Sequence, residues 1–271
     1  MLPNTRDKFS ESADKLEWFR TGIPGFDDLI SKGIPVGSSI LVEGGPGSGK
    51  TIFCLQIAYN ACKRGKKVLY MSFEEPERRL KHHMSEFGWD AKKFEDKGLF
   101  KIQRFNALDI ARSVEALLSE AKRELLIEIQ PVLIPTDYDP EIIIVDSLSS
   151  IASAFSGAES RFRIYMEQFF RYLERQKITS FLIREIAHPT HLGLVYTEKG
   201  EAISFLADGI IALYSILYRQ GKRISGIEII KMRGTEIKKK IVEMRIISKK
   251  GIVVYPESII GEGIKSALAF T

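Results

Sequence analysis

The sequence predicts an α/β domain: a mostly parallel central sheet flanked by helices and finished by an antiparallel hairpin near the C-terminus. Three observations carry that prediction. Gly44-Gly45-Pro46-Gly47-Ser48-Gly49-Lys50-Thr51 reads G-x-x-x-x-G-K-[ST], a phosphate-binding loop, and it stands between an apolar run and a helix-forming stretch, the context such a loop requires. Two further apolar runs, 67–73 and 142–145, end in carboxylates (Glu74 and Glu75, then Asp146), as buried parallel strands do when their C-terminal tips face a ligand. Late in the chain the pattern changes to alternation over 226–234, and the runs 242–247 and 252–255 flank a Lys249-Lys250-Gly251 turn.

Taken in order, residues 1–20 read as a polar N-terminal arm that ends in Trp18 and Phe19, an aromatic pair suited to packing on the domain or on a neighbour. A helix is expected from Pro24 or Gly25 to Gly33, with Pro35 and Gly37 turning into a strand over 38–43. In the loop that follows, glycines let successive backbone N–H groups converge on phosphate oxygens, and the N-terminus of a helix over 52–63 adds positive partial charge. Residues 44–51 are therefore the nucleotide-binding set, with Lys50 bridging the β- and γ-phosphates and the Thr51 hydroxyl on Mg²⁺. Gly65 caps that helix, the strand 67–73 delivers Glu74 and Glu75, and a helix over 76–87 starts with Pro in its first turn. A strand over 99–104, a long helix from Asp109 to about Ile129 and a Pro-broken loop follow. The strand 141–147 has four branched apolar residues and then Asp146, placed to reach Mg²⁺; an Asp that caps the next helix is the competing reading. Residues 157–176 form a helix whose stripe of Phe162, Tyr165, Met166, Phe169, Phe170 and Leu173 is core. Strands over 178–183 and 207–214 complete the parallel part. His188 and His191 lack a Cys or carboxylate beside them and read as loop residues rather than a metal site.

Hydrophobic content of 44% and charged content of 28% over 271 residues describe a globular chain able to build a sizeable core. No apolar stretch approaches the roughly 18 to 20 residues that span a bilayer, and the N-terminus lacks the apolar run of a secretory signal, so a cytoplasmic location is expected. The two cysteines, Cys54 and Cys62, fall on the helix after the phosphate loop, about 12 Å apart along its axis and too far for a disulfide. Abundant Lys, Glu, Arg and Ile with few Gln give the composition a thermophile cast. The net charge of +5 is uneven: residues 219–250 hold eleven Lys and Arg against three Glu. Such a segment can meet nucleic acid, can meet the phosphates of a nucleotide held by another subunit, or can be a solvated edge hairpin guarded by Lys.

Several segments, taken together, resemble the KaiC family: Thr21-Gly22-Ile23-Pro24-Gly25-Phe26-Asp27, the phosphate loop, Ser72-Phe73-Glu74-Glu75-Pro76, Phe87-Gly88-Trp89, the strand ending in Asp146-Ser147, Ala207-Asp208-Gly209, and Lys231-Met232-Arg233-Gly234-Thr235. That family is a branch of the RecA-like P-loop ATPases, close to RadA, and the resemblance covers roughly residues 20–256, leaving 1–20 as an arm and 257–271 as a tail. The resemblance implies ATP with Mg²⁺ as cofactors. It implies Glu74 as the group that polarises the attacking water, with Glu75 in support. It implies that Lys231 and Arg233 reach across a subunit interface to the γ-phosphate of a neighbour, in a head-to-tail hexameric ring. Charge in the phosphoryl-transfer transition state spreads over the γ-oxygens, so a cation supplied there helps most. The sequence departs from the family in two places. The circadian member carries two such domains and an autophosphorylated Ser-Thr pair where this chain has Ser204-Phe205, so autokinase activity is not implied. A small hydroxyl residue commonly precedes the Glu matching Glu185, and here it is Arg184.

The function these residues support is a slow Mg²⁺-dependent ATPase acting as an oligomeric switch on partner proteins. The alternative is a DNA-binding ATPase akin to a RadA paralogue, motivated by the basic 219–250 segment; no separate DNA-binding module accompanies it.

Overall fold

The computed structural model describes residues 17–121, 134–135, 137–186, 201–217 and 223–260. The arm before residue 17, the far end of the helix expected to reach Ile129, His188 and His191, Arg219 and Lys222, and the chain beyond 260 lie outside them. A two-residue strand β1 (Trp18–Phe19) pairs antiparallel with β2 (Ile34–Pro35), and Phe19 is buried against Phe181. The aromatic end of the arm thus packs on the domain itself.

The helix expected from residue 24 or 25 to 33 does not form. The chain makes only a 3₁₀ turn, Asp27–Leu29. The Asp27 carboxylate accepts from the backbone N–H groups of Thr21 and Gly22 and from the Thr21 hydroxyl, which folds the segment back on itself. Phe26, Leu29 and Ile30 are then buried from this compact turn.

Among the described residues the sheet has nine strands. In sequence order after β2 they are β3 (Ser39–Gly44), β4 (Val68–Ser72), β5 (Phe100–Arg104), β6 (Ile142–Asp146), β7 (Thr179–Glu185), β8 (Gly209–Leu217), β9 (Arg223–Met232), β10 (Val242–Ile247) and β11 (Gly251–Ile259). They lie side by side as β11-β10-β9-β8-β3-β7-β6-β4-β5. Pairing is parallel from β8 through β5, and β8, β9, β10 and β11 run antiparallel. The predicted hairpin β10–β11 is therefore the outer half of a four-strand antiparallel wing, and β11 runs three residues past residue 256.

Strands buried on both faces explain the near-continuous apolar runs. On one face lie α1 (Lys50–Lys63), α2 (Glu77–Glu86) and a short α3 (Ala91–Glu95) that the pattern did not foretell, sharing a core with Ile40, Val42, Ile144 and Ile183. On the other lie α4 (Ala107–Ala121), α5 (Leu148–Ala154), α6 (Glu159–Arg175) and α7 (Glu201–Leu206), which contribute to a second core around Leu41, Val145 and Leu182. The stripe expected on 157–176 supplies Tyr165, Met166, Phe169, Phe170 and Leu173 to that core. The Gln56 side chain bolts α1 to the antiparallel wing: its amide N–H donates to Ile252 O at 3.1 Å, and its carbonyl accepts from Ile252 N at 2.6 Å. Among the described residues no helix is long and apolar enough to cross a membrane.

Candidate nucleotide site

β3 ends at Gly44 and the chain passes through the loop into α1 at Lys50. Two glycines make that path possible. A Cβ on Gly44 would stand 2.5 Å from Leu213 O and Ser48 Oγ, and Gly49 caps α1 with φ +98°, a region only glycine enters freely. The loop thereby presents its backbone N–H groups at the N-terminus of a fourteen-residue helix. Ser48 Oγ is buried against Gly44 and has no hydrogen-bond partner among the described residues.

Lys50 is buried. Its Nζ donates to Gly45 O at 2.9 Å and lies 3.6 Å from Glu185 Oε1 at the end of β7. Thr51, the next residue, donates its hydroxyl to Asp146 Oδ2 at 3.0 Å, and Tyr70 donates to the same oxygen at 2.6 Å. Burial pushes the Asp146 carboxyl up to about 6; the Tyr70 and Thr51 hydrogen bonds work against that, and the Glu74 and Glu75 carboxylates add to it. A cation at this point would reverse that pressure, and the Thr51–Asp146 pair offers only oxygen, the donor set a hard cation takes. Among the described residues no group of three or more His, Cys, Asp or Glu is arranged to hold a metal alone.

The two glutamates after β4 have different partners. Glu74 Oε1 accepts from the Ser147 hydroxyl and from the Ser150 hydroxyl at 2.9 Å. Glu75 Oε2 lies 3.0 Å from His83 Nε2 and 3.5 Å from Arg79 Nε on α2. Lys50, Thr51, Glu74, Glu75, Asp146 and Glu185 all border one cavity of about 370 Å³, with Ile246 of β10 at its rim. Ser147, Ser150, Tyr70 and His83 escaped the sequence reading. The spacing Ser147-x-x-Ser150 just after Asp146, which sets two hydroxyls on one face of a helix start, was the signal available for the serines.

Lys231 and Arg233 are not in that cavity. In register, Lys231 pairs with Ile210, which pairs with Leu41, so it lies toward the amino-terminal half of β3, three residues short of Gly44. Its side chain is bound on the α7 face of the sheet, donating to Ala207 O at 2.6 Å and Ser204 O at 3.3 Å. Arg233 donates to Asp208 Oδ1 at 3.2 Å and Phe205 O at 3.1 Å. Within one chain the loop set and this cation pair are separate. Cys54 and Cys62 are free, buried thiols, and burial pushes both up, the second to about 12.

The arrangement has known relatives. The family model described as "ATPase: KaiC" matches residues 19–259. A circadian clock protein, KaiC3, of Synechocystis is 31% identical over 255 residues, covering 92% of this chain and 48% of that protein, so the chain spans about half the length of this relative. A UPF0273 protein of Pyrococcus horikoshii is 28% identical over 253 residues, covering 90% of this chain and 96% of its own. Among solved structures, a KaiC-like protein of Pyrococcus horikoshii superposes with a TM-score of 0.70 at 28% identity, over 89% of this chain and all of that one. A phosphate loop, a carboxylate-tipped strand beside it and a family match that runs from β1 to the end of β11 lead to one conclusion: the chain belongs to the KaiC family of ATPases, with the nucleotide binding that membership implies.

Proposed function

We propose that this chain is a slow, Mg²⁺-dependent ATPase whose sites are completed between subunits of a head-to-tail oligomer, a hexameric ring, and which uses ATP turnover to switch its affinity for partner proteins in the cytoplasm. We read residues 21–256 as the working domain, 1–20 as an arm and 257–271 as a tail. The observation that carries the reading is the separation just described. The cavity supplies a phosphate loop, an oxygen pair for Mg²⁺ and two glutamates, while the remaining cations of the family set stand on the other face of the sheet. A second copy can offer Lys231 and Arg233 where the first copy cannot.

In that reading the residues divide the work. Lys50 gives up Gly45 O for the β- and γ-phosphate oxygens, and the backbone N–H groups of residues 47–51 hold the remaining phosphate oxygens. Thr51 and Asp146 would hold Mg²⁺, which would supply positive charge to offset the charge of the phosphates. Glu74, oriented through Oε1 by Ser147 and Ser150, has Oε2 to accept a proton from the water that attacks the γ-phosphorus as the bond to the β–γ bridging oxygen breaks. Glu75 supports it, its charge balanced by Arg79, with the His83 ring beside it. The neighbour's Lys231 and Arg233 take up charge on the γ-oxygens.

The DNA-binding alternative draws on the basic segment. Two of its cations outside the Lys231–Arg233 pair are engaged within the chain: Arg223 on Ser215, and Arg245 on Glu243 and the Tyr255 ring. That favours the switch reading. Steady-state ATP hydrolysis across a range of protein concentrations, with and without single-stranded DNA, separates the two. Specific activity that rises with concentration and ignores DNA supports the switch; stimulation of several-fold by DNA would move the assignment to recombination. An absence of Mg²⁺-dependent hydrolysis at any concentration would defeat both.

A further inference from the structure

Glu43 is a carboxylate almost fully buried in the sheet, one residue before the phosphate loop, and no step above uses it. Its cross-strand neighbour in register is Arg184 on β7, itself largely buried, and the two form an ion pair. The same Arg184 nitrogen donates to Ser204 Oγ on α7 at 2.9 Å. Ser204 O and Ala207 O hold Lys231, and Phe205 O and Asp208 hold Arg233. An unbroken set of polar contacts thus runs from the base of the phosphate loop to the cations offered to a neighbour.

The other side of β7 meets the nucleotide cavity. Glu185 follows Arg184, so the two side chains leave opposite faces of the strand. Glu185 pairs in register with Gly44 and faces Lys50 across 3.6 Å. Its backbone N–H is held by Ser149 Oγ at 2.8 Å. Lys50 now spends its charge on Gly45 O and Glu185, and phosphate oxygens would take it from both. The consequence falls on the residues flanking the Glu43–Arg184 pair, where a buried ion pair tolerates little change in geometry.

We propose that Arg184 is a positioning residue that ties the base of the phosphate loop to the turn gripping Lys231 and Arg233, so that nucleotide in one subunit sets the placement of the cations offered to the next. The proposal rests on the reading that those cations serve a neighbouring nucleotide, and it makes adjacent sites interdependent. Coupling of this kind requires an element that both sites bias, and α7 with residues 207–208 is that element.

The test uses the full chain and the variant Ser204→Ala, which cuts the link to α7 and leaves the Glu43–Arg184 pair intact. Hydrogen exchange at residues 203–208 and 231–234 is followed with and without saturating Mg²⁺ and adenylyl imidodiphosphate. In the native chain nucleotide changes protection in both stretches. In Ser204→Ala that response falls at least about threefold while the nucleotide Kd stays within about twofold, and Ser204→Thr restores it. In turnover, Ser204→Ala lowers kcat about fivefold at unchanged KM. The double variant Glu43→Gln, Arg184→Gln repeats the loss without stranding a buried charge. A native chain whose two stretches ignore nucleotide, or variants whose response equals the native one, overturns the proposal. If the exchange behaves as expected but no protein hydrolyses ATP, the ATPase reading fails and the coupling stands.

Discussion

Replacing Asp146 by Asn should stabilise the nucleotide-free protein and, on the function proposed above, abolish Mg²⁺-dependent nucleotide binding. The size follows from the carboxyl's environment. Its ordinary value of 3.8 is raised to about 6 in the fold, chiefly by burial. A shift of about two units corresponds to about 3 kcal/mol between the protonation states, so the ionised form burdens the folded chain by that ceiling. The sign runs with pH. A group whose folded pKa lies above its unfolded value contributes stability that is present below pH 4 and lost as pH rises through 6. Asn cannot ionise, so its advantage over Asp opens between pH 4 and 6 and is flat above 7. The Asn amide must also be desolvated, and its oxygen accepts from Tyr70 and Thr51 less strongly than a carboxylate. A net gain of about 1–2 kcal/mol at pH 7.5 is expected, a rise in Tm of about 2–8 °C for a chain of this size. Urea unfolding in EDTA at pH 4.5 and 7.5 measures it, with Mg²⁺–ATP binding by calorimetry alongside. A variant less stable than the parent at pH 7.5, or a gap that does not change with pH, refutes the reasoning.

Two further outcomes are expected. Glu74→Gln keeps the hydrogen-bonding shape beside Ser147 and Ser150 but cannot take a proton; kcat should fall by about 10² or more with nucleotide affinity within threefold, and equal turnover in single-turnover assays would remove Glu74 from its role. Gln56→Ala strands Ile252 N and O in a buried position between α1 and β11, so denaturant unfolding should show a loss of about 2–3 kcal/mol, against less than about 1 if water replaces the amide.

The parts of this fold that could be read from the chain are those where one local pattern dominates. The phosphate loop, the strands ending at Ser72 and Asp146 and the stripe on α6 combine apolar runs with a fixed spacing of glycines or carboxylates, and tertiary packing agrees with each. The segment from Pro24 to Gly33 misleads because the decisive interaction is a side chain, Asp27, reaching back five and six residues to Gly22 and Thr21, which no periodicity expresses. Helices α3 and α5 are five and seven residues long, too short for a 3.6-residue period to stand out. Of the site, the loop and Asp146 are written in single stretches. Lys231 belongs to a distant strand and Arg233 to the turn that follows it, and only the family resemblance connects them to a phosphate. Glu43 was the most informative residue left unread: a carboxylate in an otherwise apolar strand needs a partner, and Arg184, the departure at the end of β7, is that partner.

The central claim is that one subunit's cations serve another subunit's nucleotide, and mixing two impaired chains tests it most directly. Glu74→Gln retains Lys231 and Arg233 but cannot activate water; Arg233→Ala retains the cavity but not the trans-acting cation. Co-assembled from equal amounts, random neighbours place an intact cavity beside an intact Arg233 at about one junction in four, so ATPase activity should recover to about a quarter of the native rate. A mixture no more active than the average of its two components would contradict the account.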